Sequence, residues 1–307
     1  MNRIVAIVGP TATGKSALAV ELAMALGGEI VGADSRQVYR YMDIGTAKPS
    51  REERAKVPHH LIDIINPDEA FTLATYQELA FQAVADIQRR GKLAILVGGS
   101  GLYVRAVTGG LSIPKVAPDP ELRRKLEERA DHEGFQSLYR ELTNVDPVAA
   151  GKIDPRNVRR VIRALEVCIT ASVPFSQLKK SSPKVSTVTI GLTTARDDLY
   201  RRVDARVDQM IERGLVDEVK WLLDCGYPPE LPAMSGLGYK QIVACLKGEA
   251  SLEKAIQRIK FETHRYVRSQ YAWFRLKDEA IHWFDIRENP IESIHNLIAQ
   301  LASGRGK

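Results

Sequence analysis

The strongest constraint on the fold lies near the N-terminus, where Gly9-Pro10-Thr11-Ala12-Thr13-Gly14-Lys15-Ser16 fits the phosphate-loop pattern G-x-x-x-x-G-K-[ST]. The apolar residues 4–8 predict a buried strand before it, and residues 16–26 predict a helix that ends at two glycines. This order directs backbone N–H groups and the positive end of a helix dipole toward one anion. The segment therefore predicts a site for a di- or triphosphate; the alternative is a glycine turn that binds nothing.

Two side chains of this segment are suited to phosphate chemistry. Lys15 supplies a positive charge to a terminal phosphate, and the Ser16 hydroxyl is a ligand that Mg²⁺ accepts. The pattern does not distinguish ATP from other diphosphates and triphosphates.

A carboxylate follows the second predicted strand, residues 29–33. Ligands of open α/β sheets lie at the carboxyl ends of the strands, so we expect Asp34 to face the occupant of the phosphate loop. Asp and Ser are also common turn formers, and the alternative is that Asp34 only caps the next turn.

The third predicted strand, residues 93–97, leads directly into Gly98-Gly99-Ser100-Gly101. A phosphate-loop ATPase usually has a magnesium-binding Asp at this position. This chain has a flexible, hydroxyl-bearing loop there instead, which argues against ATP hydrolysis.

Candidate metal ligands form no pattern. Cys168, Cys225 and Cys245 are widely spaced and odd in number, which favours neither disulfides nor a zinc site and indicates a reducing cytosol. His59 and His60 are adjacent in a segment that we interpret as a loop; their side chains diverge, and no third ligand is evident.

The composition is that of a globular protein, with 307 residues, 44% hydrophobic and 27% charged. No apolar run reaches membrane-spanning length and no signal peptide precedes the first strand, so we expect a cytoplasmic protein without a membrane partner. The net charge of +6 matters only where cations cluster.

One such cluster lies in a segment without convincing strands. Asp119-Pro120, Asp146-Pro147 and Asp154-Pro155 each predict a helix start. We therefore expect a helical insertion over residues 115–186 of a phosphate-loop α/β core formed by residues 1–114 and 187–307. A polyanion-binding surface is favoured over a solvated helix face for its cations, which are Lys152, Arg156, Arg159, Arg160 and Arg163.

A second basic cluster follows from helical periodicity over residues 250–277. Apolar and aromatic residues of this segment, including Tyr266 and Trp273, project to one side and are expected in the core. A basic stripe about 100° wide projects to the other side and suits a phosphate backbone. The stripe consists of Lys254, Arg258, Arg265, Arg268 and Arg275.

With these features in place, the chain resembles the bacterial tRNA dimethylallyltransferases, also called tRNA isopentenyl diphosphate transferases, over essentially its full length. Arg36 and Ser100 depart from the family pattern, which usually has Met and often has Thr there. The motifs that support the resemblance are Gly9 to Ser16, Asp34-Ser35-Arg36-Gln37-Val38-Tyr39, Met42-Asp43-Ile44-Gly45-Thr46-Ala47-Lys48-Pro49, Val57-Pro58-His59-His60-Leu61, Gly98 to Tyr103, Arg163-Ala164-Leu165-Glu166, Gly238-Tyr239-Lys240-Gln241 and Arg268 to Arg275.

The resemblance implies transfer of a dimethylallyl group from dimethylallyl diphosphate to the N6 amine of adenine 37 in tRNA. It makes Asp34 the base, and makes Lys15, Arg206, the loop amides and Mg²⁺ on Ser16 the stabilisers of the diphosphate. We expect a monomer. The residues expected to contact tRNA are Asp34, Ser35, Arg36, Gln37, Ser100, Arg159, Arg160, Arg163, Gly238, Tyr239, Lys240, Arg265, Arg268 and Arg275.

Three other functions suit parts of the sequence. An ATP-dependent small-molecule kinase would use the phosphate loop but would leave both basic clusters without a role. A prenyltransferase acting on free adenine nucleotides would not need an extended basic surface. A non-catalytic RNA-binding protein would not need the intact Lys15, Ser16 and Asp34.

Overall fold

A computed structural model describes residues 3–109, 111, 113–114, 116–178 and 185–302 of the chain. Its sheet has six strands, all parallel, in the order β3-β2-β4-β1-β5-β6. The strands are β1 (Arg3–Val8), β2 (Gly28–Gly32), β3 (His59–His60), β4 (Leu93–Val97), β5 (Ser186–Thr193) and β6 (Ile281–Asp285). The predicted α/β class is confirmed.

Thirteen α-helices lie in the described residues, most of them covering the sheet or forming a separate bundle. They are α1 (Lys15–Leu26), α2 (Arg51–Lys56), α3 (Leu73–Arg89), α4 (Gly101–Thr108), α5 (Pro120–Glu133), α6 (Phe135–Val145), α7 (Pro147–Ala150), α8 (Val158–Ala171), α9 (Arg196–Glu212), α10 (Leu215–Asp224), α11 (Tyr239–Leu246), α12 (Leu252–Trp273) and α13 (Ile291–Ala302). None of them is both long and apolar enough to cross a lipid bilayer.

The centre of the sheet is apolar because β1 is hydrogen-bonded on both sides, to β4 and to β5. Such strands are covered on both faces, so apolar runs fill them without alternation. Ile7, Ile95 and Ile190 pack with α1 and α13 in one buried cluster. The carboxyl ends of β1, β2 and β4 consequently meet at one edge, where parallel sheets bind ligands.

The chain divides into two compact units, residues 1–109 with 184–307 and residues 110–183. The second unit is helical throughout its described part, with α5, α6 and α8 packed around Leu138, Leu142 and Leu165. The predicted insertion begins at Lys115, which lies outside the described residues.

Two of the three Asp-Pro pairs begin helices. Asp119 and Asp146 accept hydrogen bonds from backbone N–H groups of the first turn, with proline next in the chain. The third prediction is wrong: Asp154 accepts from the Arg156 backbone N–H in a turn, and Asn157 caps α8 instead. An Asx turn and an N-cap use the same carboxylate chemistry, which is why the pattern did not separate them.

The interpretation of residues 57–60 as a loop is also wrong in part. His59 and His60 form β3, which pairs with Ile30 and Val31 at the edge of the sheet. A two-residue strand has no periodicity, so its pairing is set by the neighbouring strand.

Candidate active site

The phosphate loop connects β1 to α1 in a conformation that glycine makes possible. Gly9 has φ 133° and Gly14 has φ 77°, both in the region that side chains disfavour. A Cβ on Gly9 would overlap the Leu192 carbonyl oxygen. Gly14 is the N-cap of α1 and no side chain caps this helix, so its first N–H groups are left for a ligand.

Lys15 is folded back on its own loop. Its Nζ donates to the Pro10 carbonyl oxygen at 2.6 Å, and the Thr13 hydroxyl donates to the same oxygen at 2.9 Å. Burial, and then the positive charge of Arg206, lower the pKa of Lys15 to about 7, while Asp34 acts in the opposite direction. An anion in the loop would pair with the Lys15 ammonium and so raise its pKa again.

Asp34 follows β2; its carboxylate both caps the next turn and lines the cavity of the phosphate loop. Its Oδ1 accepts from the Arg36 backbone N–H at 2.8 Å, which is the turn-capping role. The same carboxylate lines the cavity that contains Lys15 and Ser16. The other oxygen has no hydrogen-bond donor among the described residues, so it is available to a ligand.

Two adjoining cavities open at this edge of the sheet, with about 660 Å³ and about 1100 Å³ of space outside the protein atoms. The first contains Lys15 and Ser16, and the second extends toward residues 235–239. Five residues line both cavities and so form their shared boundary: Thr11, Asp34, Thr46, Arg206 and Tyr266. A ligand in one cavity therefore lies next to a ligand in the other.

Arg206 reaches this boundary from α9. Burial lowers the pKa of its guanidinium, and the Asp34 carboxylate partly offsets that shift. The boundary thus combines the Asp34 carboxylate with the Arg206 cation, and a second cation, Lys15, lines the first cavity. The structure brings together the three residues that the sequence predicts to be catalytic.

Sequence reasoning missed two residues of α12 that also reach the site. Gln270 is 2% exposed; its Oε1 accepts from the Thr11 backbone N–H at 2.9 Å and its Nε2 donates to the Gly99 carbonyl at 3.2 Å. Burial raises the pKa of Tyr266 to about 12, and the nearby Asp34 carboxylate adds to the shift. A glutamine on the apolar side of a helix was the available signal, because buried amides need partners.

The glycines in the loop after β4 allow the Ala33 carbonyl and the Gln270 amide to pack directly against the backbone of this loop. A Cβ on Gly98 would overlap the Ala33 carbonyl, and one on Gly99 would overlap the Gln270 amide. Ser100 Oγ accepts from the Ser35 backbone N–H at 3.3 Å, which joins the loop to the Asp34 turn. Ser100 and Ser35 are therefore neighbours, as predicted.

Gln37 and Arg36, which follow Asp34 in the chain, make hydrogen bonds to different parts of the protein. The Gln37 amide Nε2 donates to the Thr46 and Ala47 carbonyls, each at 3.2 Å. The Arg36 guanidinium donates to the Pro232 carbonyl at 2.6 Å and to Ser235 Oγ at 3.1 Å. The arginine that departs from the family pattern thus connects this motif to the turn before α11.

The predicted RNA contacts around α11 and α12 differ in accessibility. Arg265, Arg268 and Arg275 are exposed, and Arg268 donates to the Tyr200 hydroxyl at 3.0 Å. Lys240 is half exposed and pairs with Glu262 at 2.7 Å. Gly238 has φ 92° and precedes α11.

Tyr239, which was also predicted to contact tRNA, is buried. Its side chain is 1% exposed and its hydroxyl donates to Glu218 Oε1 at 2.6 Å. The ring packs on Gly45, where a Cβ would collide with it. Tyr239 therefore supports the wall of the second cavity, and its contact with tRNA stays a prediction.

In the helical unit, Arg159 and Arg160 are exposed on α8, but Arg163 is not free. Arg163 pairs at 2.5 Å with Glu166, which is fully buried and also holds Arg123 at 2.8 Å. Removing one partner of a buried carboxylate is costly, so Arg163 stabilises this unit, and its contact with tRNA stays a prediction.

The two adjacent histidines have separate partners. His60 Nε2 lies 2.8 Å from Glu29 Oε2, and His59 Nδ1 lies 2.9 Å from the Val57 carbonyl. The described residues contain no group of three or more His, Cys, Asp or Glu side chains that could hold a metal ion.

Known proteins are similar to this chain over most of its length. The IPP transferase family model matches residues 37–277 of this chain. The tRNA dimethylallyltransferase of Thermomicrobium roseum is 53% identical over 286 residues, covering 93% of this chain and 87% of that protein. The tRNA dimethylallyltransferase of Dehalococcoides mccartyi is 48% identical over 305 residues, covering 99% and 94%.

The chain belongs to the IPP transferase family. The predicted family resemblance is confirmed. The family model begins after the phosphate loop and Asp34, but the relative from Dehalococcoides mccartyi covers almost the whole chain.

Solved IPP transferase structures show the same fold. The full-length tRNA isopentenylpyrophosphate transferase of Bacillus halodurans has a TM-score of 0.71 at 44% identity, covering 97% of this chain and 96% of that chain. A eukaryotic dimethylallyltransferase acting on tRNA has a TM-score of 0.83 at 27% identity, covering 99% of this chain and 80% of that chain. The parallel sheet with a helical insertion is therefore the architecture of this IPP transferase.

Proposed function

We propose that the protein transfers a dimethylallyl group from dimethylallyl diphosphate to the N6 amine of adenine 37 of tRNA. The observation that supports this most is the shared boundary of the two cavities, where Asp34 stands between a phosphate loop and a second, larger space. The relatives that match nearly the whole chain are tRNA dimethylallyltransferases. The protein is therefore an enzyme of tRNA modification.

Asp34 is the general base of the proposed reaction. The lone pair of the exocyclic adenine amine is delocalised into the ring, so the amine attacks carbon only as its proton is removed. The new N6–C1 bond forms while the allylic C1–O bond breaks, the proton passes to the free oxygen of Asp34, and diphosphate leaves. A positioned base of this kind contributes about 10²- to 10⁴-fold in rate.

Fixed positive charge stabilises the leaving diphosphate. Lys15, Arg206 and the uncapped N–H groups of α1 all face the first cavity and need little rearrangement during the reaction. Lys15 exchanges its bond to the Pro10 carbonyl for one to a phosphate oxygen. Removal of either cation is expected to lower the rate as well as diphosphate affinity.

We infer that Mg²⁺ accompanies the diphosphate. The Ser16 hydroxyl and the Asp34 carboxylate are hard oxygen donors on the same cavity, which fits this ion. No carboxylate ends β4, where Gly98 and Gly99 stand instead. Ser16 would therefore hold Mg²⁺ together with phosphate oxygens and water, and the ion would supply further charge neutralisation.

The acceptor base reaches Asp34 through the second cavity. A base stacked in the anticodon loop has to be turned out, which costs a few kcal/mol of stacking. Ser35, Gln37 and Ser100 are the residues proposed to contact the extruded adenine. The polar groups beside Asp34 would replace the hydrogen bonds that the base loses.

Two exposed basic surfaces are proposed to bind the tRNA backbone, one in each unit. The first consists of Arg265, Arg268 and Arg275, and the second of Arg159 and Arg160. Phosphate contacts of this type position an RNA without reading its sequence. We also propose that the enzyme acts as a monomer.

One experiment separates this function from its alternatives. The protein is incubated with labelled dimethylallyl diphosphate, Mg²⁺ and either an anticodon stem-loop with adenine 37 or AMP. Label on the stem-loop supports the proposal, and label on AMP supports the free-nucleotide prenyltransferase. ATP-dependent phosphorylation without prenyl transfer supports the kinase. Binding of the stem-loop without either reaction supports a non-catalytic RNA-binding protein.

A further inference from the structure

A single carboxylate outside the two cavities holds one of their walls. Glu218, on α10, accepts three consecutive backbone N–H groups, from Asp43 at 2.9 Å, Ile44 at 2.7 Å and Gly45 at 3.1 Å. The Tyr239 hydroxyl is its fourth donor, at 2.6 Å. Charge-assisted bonds of this kind are roughly twice as strong as neutral ones, so this carboxylate fixes the backbone of the segment.

The clamped segment, residues 43–48, is strained. Ala47 has φ 45°, which costs a non-glycine residue about 1–3 kcal/mol and persists only where the surroundings enforce it. At the far end of the segment, the buried Lys48 ammonium donates to Asp43 Oδ1 at 2.6 Å and to Asp63 Oδ1 at 2.5 Å. Glu218 and Lys48 therefore hold the segment from both sides.

The strained segment in turn fixes the orientation of Gln37. The carbonyls of Thr46 and Ala47 both accept from Gln37 Nε2, so both N–H bonds of this amide are used. Those two carbonyl partners also exclude the flipped amide, which would place oxygen against oxygen. Gln37 lines the first cavity and bonds Thr46, a residue of the boundary between the two cavities, so it can offer a base at that boundary only its carbonyl oxygen. A carbonyl oxygen accepts from an amine such as adenine N6 and repels a keto oxygen at the same position.

We propose that Glu218 is a positioning residue for acceptor-base selection, because its clamp on residues 43–45 holds Gln37 as a hydrogen-bond acceptor. This inference rests on the proposed function. Burial, and then the neighbouring Glu218, raise the pKa of Tyr239 well above its ordinary value, so the phenol stays a donor in the clamp. Base selection in this enzyme thus depends on a residue that does not touch the base.

The test measures selection and rate together. Stem-loops with adenosine or inosine at position 37 compete for binding, and prenyl transfer is followed on the adenosine form. In Glu218→Gln, whose amide N–H groups clash with the backbone donors, we expect the adenosine preference to fall at least 5-fold and kcat/KM for the stem-loop to fall at least 10-fold. KM for dimethylallyl diphosphate is expected to stay within 3-fold.

Three further variants show whether Glu218 acts through Gln37. Asp217→Asn removes the same charge from the neighbouring, exposed position of α10 and is the matched control, expected to match the wild type. Tyr239→Phe removes one of the four donors to Glu218 and keeps the ring. We expect it to lower the adenosine preference and kcat/KM for the stem-loop by 2- to 3-fold. In a Gln37→Ala background, Glu218→Gln is expected to cost less than 2-fold, since coupled residues are not additive.

The outcomes separate this inference from the function beneath it. If the wild type transfers no prenyl group to the stem-loop, the proposed function fails. If the wild type is active but Glu218→Gln keeps the adenosine preference, Glu218 does not select the base. The same conclusion follows if Glu218→Gln has its full effect in the Gln37→Ala background. Should Glu218→Gln fail to fold, Tyr239→Phe decides by the same two readouts.

Discussion

The donor half and the acceptor half of this active site are built in opposite ways. Eight consecutive residues, Gly9 to Ser16, form the phosphate loop, and their conformation follows from local glycines and the start of α1. The acceptor half is assembled from distant parts of the chain that include Gln37, Gly99, Glu218 and Gln270. A site for a common ligand group can be local, whereas a site for one particular base needs side chains brought together by the fold.

Asp34 lies where the two halves meet, and its substitution is expected to have the largest effect. Asp34→Asn keeps an oxygen for the Arg36 backbone N–H but cannot take the amine proton. The single-turnover rate of prenyl transfer is expected to fall about 100-fold or more, with stem-loop affinity within a few-fold. Rapid-quench kinetics and a binding titration measure the two quantities. An unimpaired rate would mean that Asp34 only caps its turn.

Gln270 connects the phosphate loop to the glycine loop after β4, because it bonds Thr11 of the first and Gly99 of the second, next to Ser100, which is proposed to contact the acceptor base. Gln270→Ala leaves two buried backbone groups unpaired, each at a cost of about 1–3 kcal/mol. We expect a lower Tm and roughly a 10-fold lower kcat/KM for both substrates, a factor that corresponds to 1.4 kcal/mol. Gln257→Ala, at an exposed position of the same helix, is the control. A loss confined to one substrate would show that the halves are independent.

The basic surface of α12 belongs to the acceptor half only. Replacement of Arg265 and Arg268 by Ala is expected to flatten the plot of log affinity for tRNA against log salt concentration by about one unit for each phosphate that the protein no longer neutralises. Affinity for inorganic diphosphate is expected to stay the same. Arg89→Ala, an exposed arginine that precedes β4 at the opposite edge of the sheet, serves as the control. An unchanged slope would remove this surface from the RNA interface.

The smallest effect concerns the donor half alone. Since the pKa of Lys15 is about 7, its amine is mostly neutral at pH 8 in the free enzyme. Binding of inorganic diphosphate is expected to raise that pKa, so the complex takes up close to one proton at pH 8 and almost none at pH 6. Titration calorimetry in buffers of different ionisation enthalpy measures the uptake. Lys15→Met subtracts the protons of diphosphate itself, and an equal uptake in that variant would contradict the expectation.

The same contrast explains what could be predicted from the sequence. The strand before the phosphate loop, the helix after it and the strand at Leu93–Val97 were predicted correctly because their signals are local in the chain. The partners of Arg163 were not predicted, because the helical pattern did not reveal that Glu166, one turn later, is buried and shared with Arg123.

Long-range partners account for the residues that were missed. Glu218 and Gln270 bond to backbone groups 175 and 259 positions away, such as those of Asp43 and Thr11, and no sequence pattern records such pairs. Tyr266 and Trp273 were both expected in the core. The first lines both cavities and the second is 36% exposed, with the Arg105 guanidinium 5.2 Å from its ring.

The shared boundary of the two cavities has a consequence for inhibitor chemistry. A compound that joins an adenine-like ring to a diphosphate mimic by a short linker would pass Asp34 at that boundary and occupy both cavities at once. Such a molecule would have the high effective concentration of a tethered pair and would bind more tightly than either fragment. Its affinity would also weaken in Lys15→Met and Gln37→Ala alike, which no fragment alone would do.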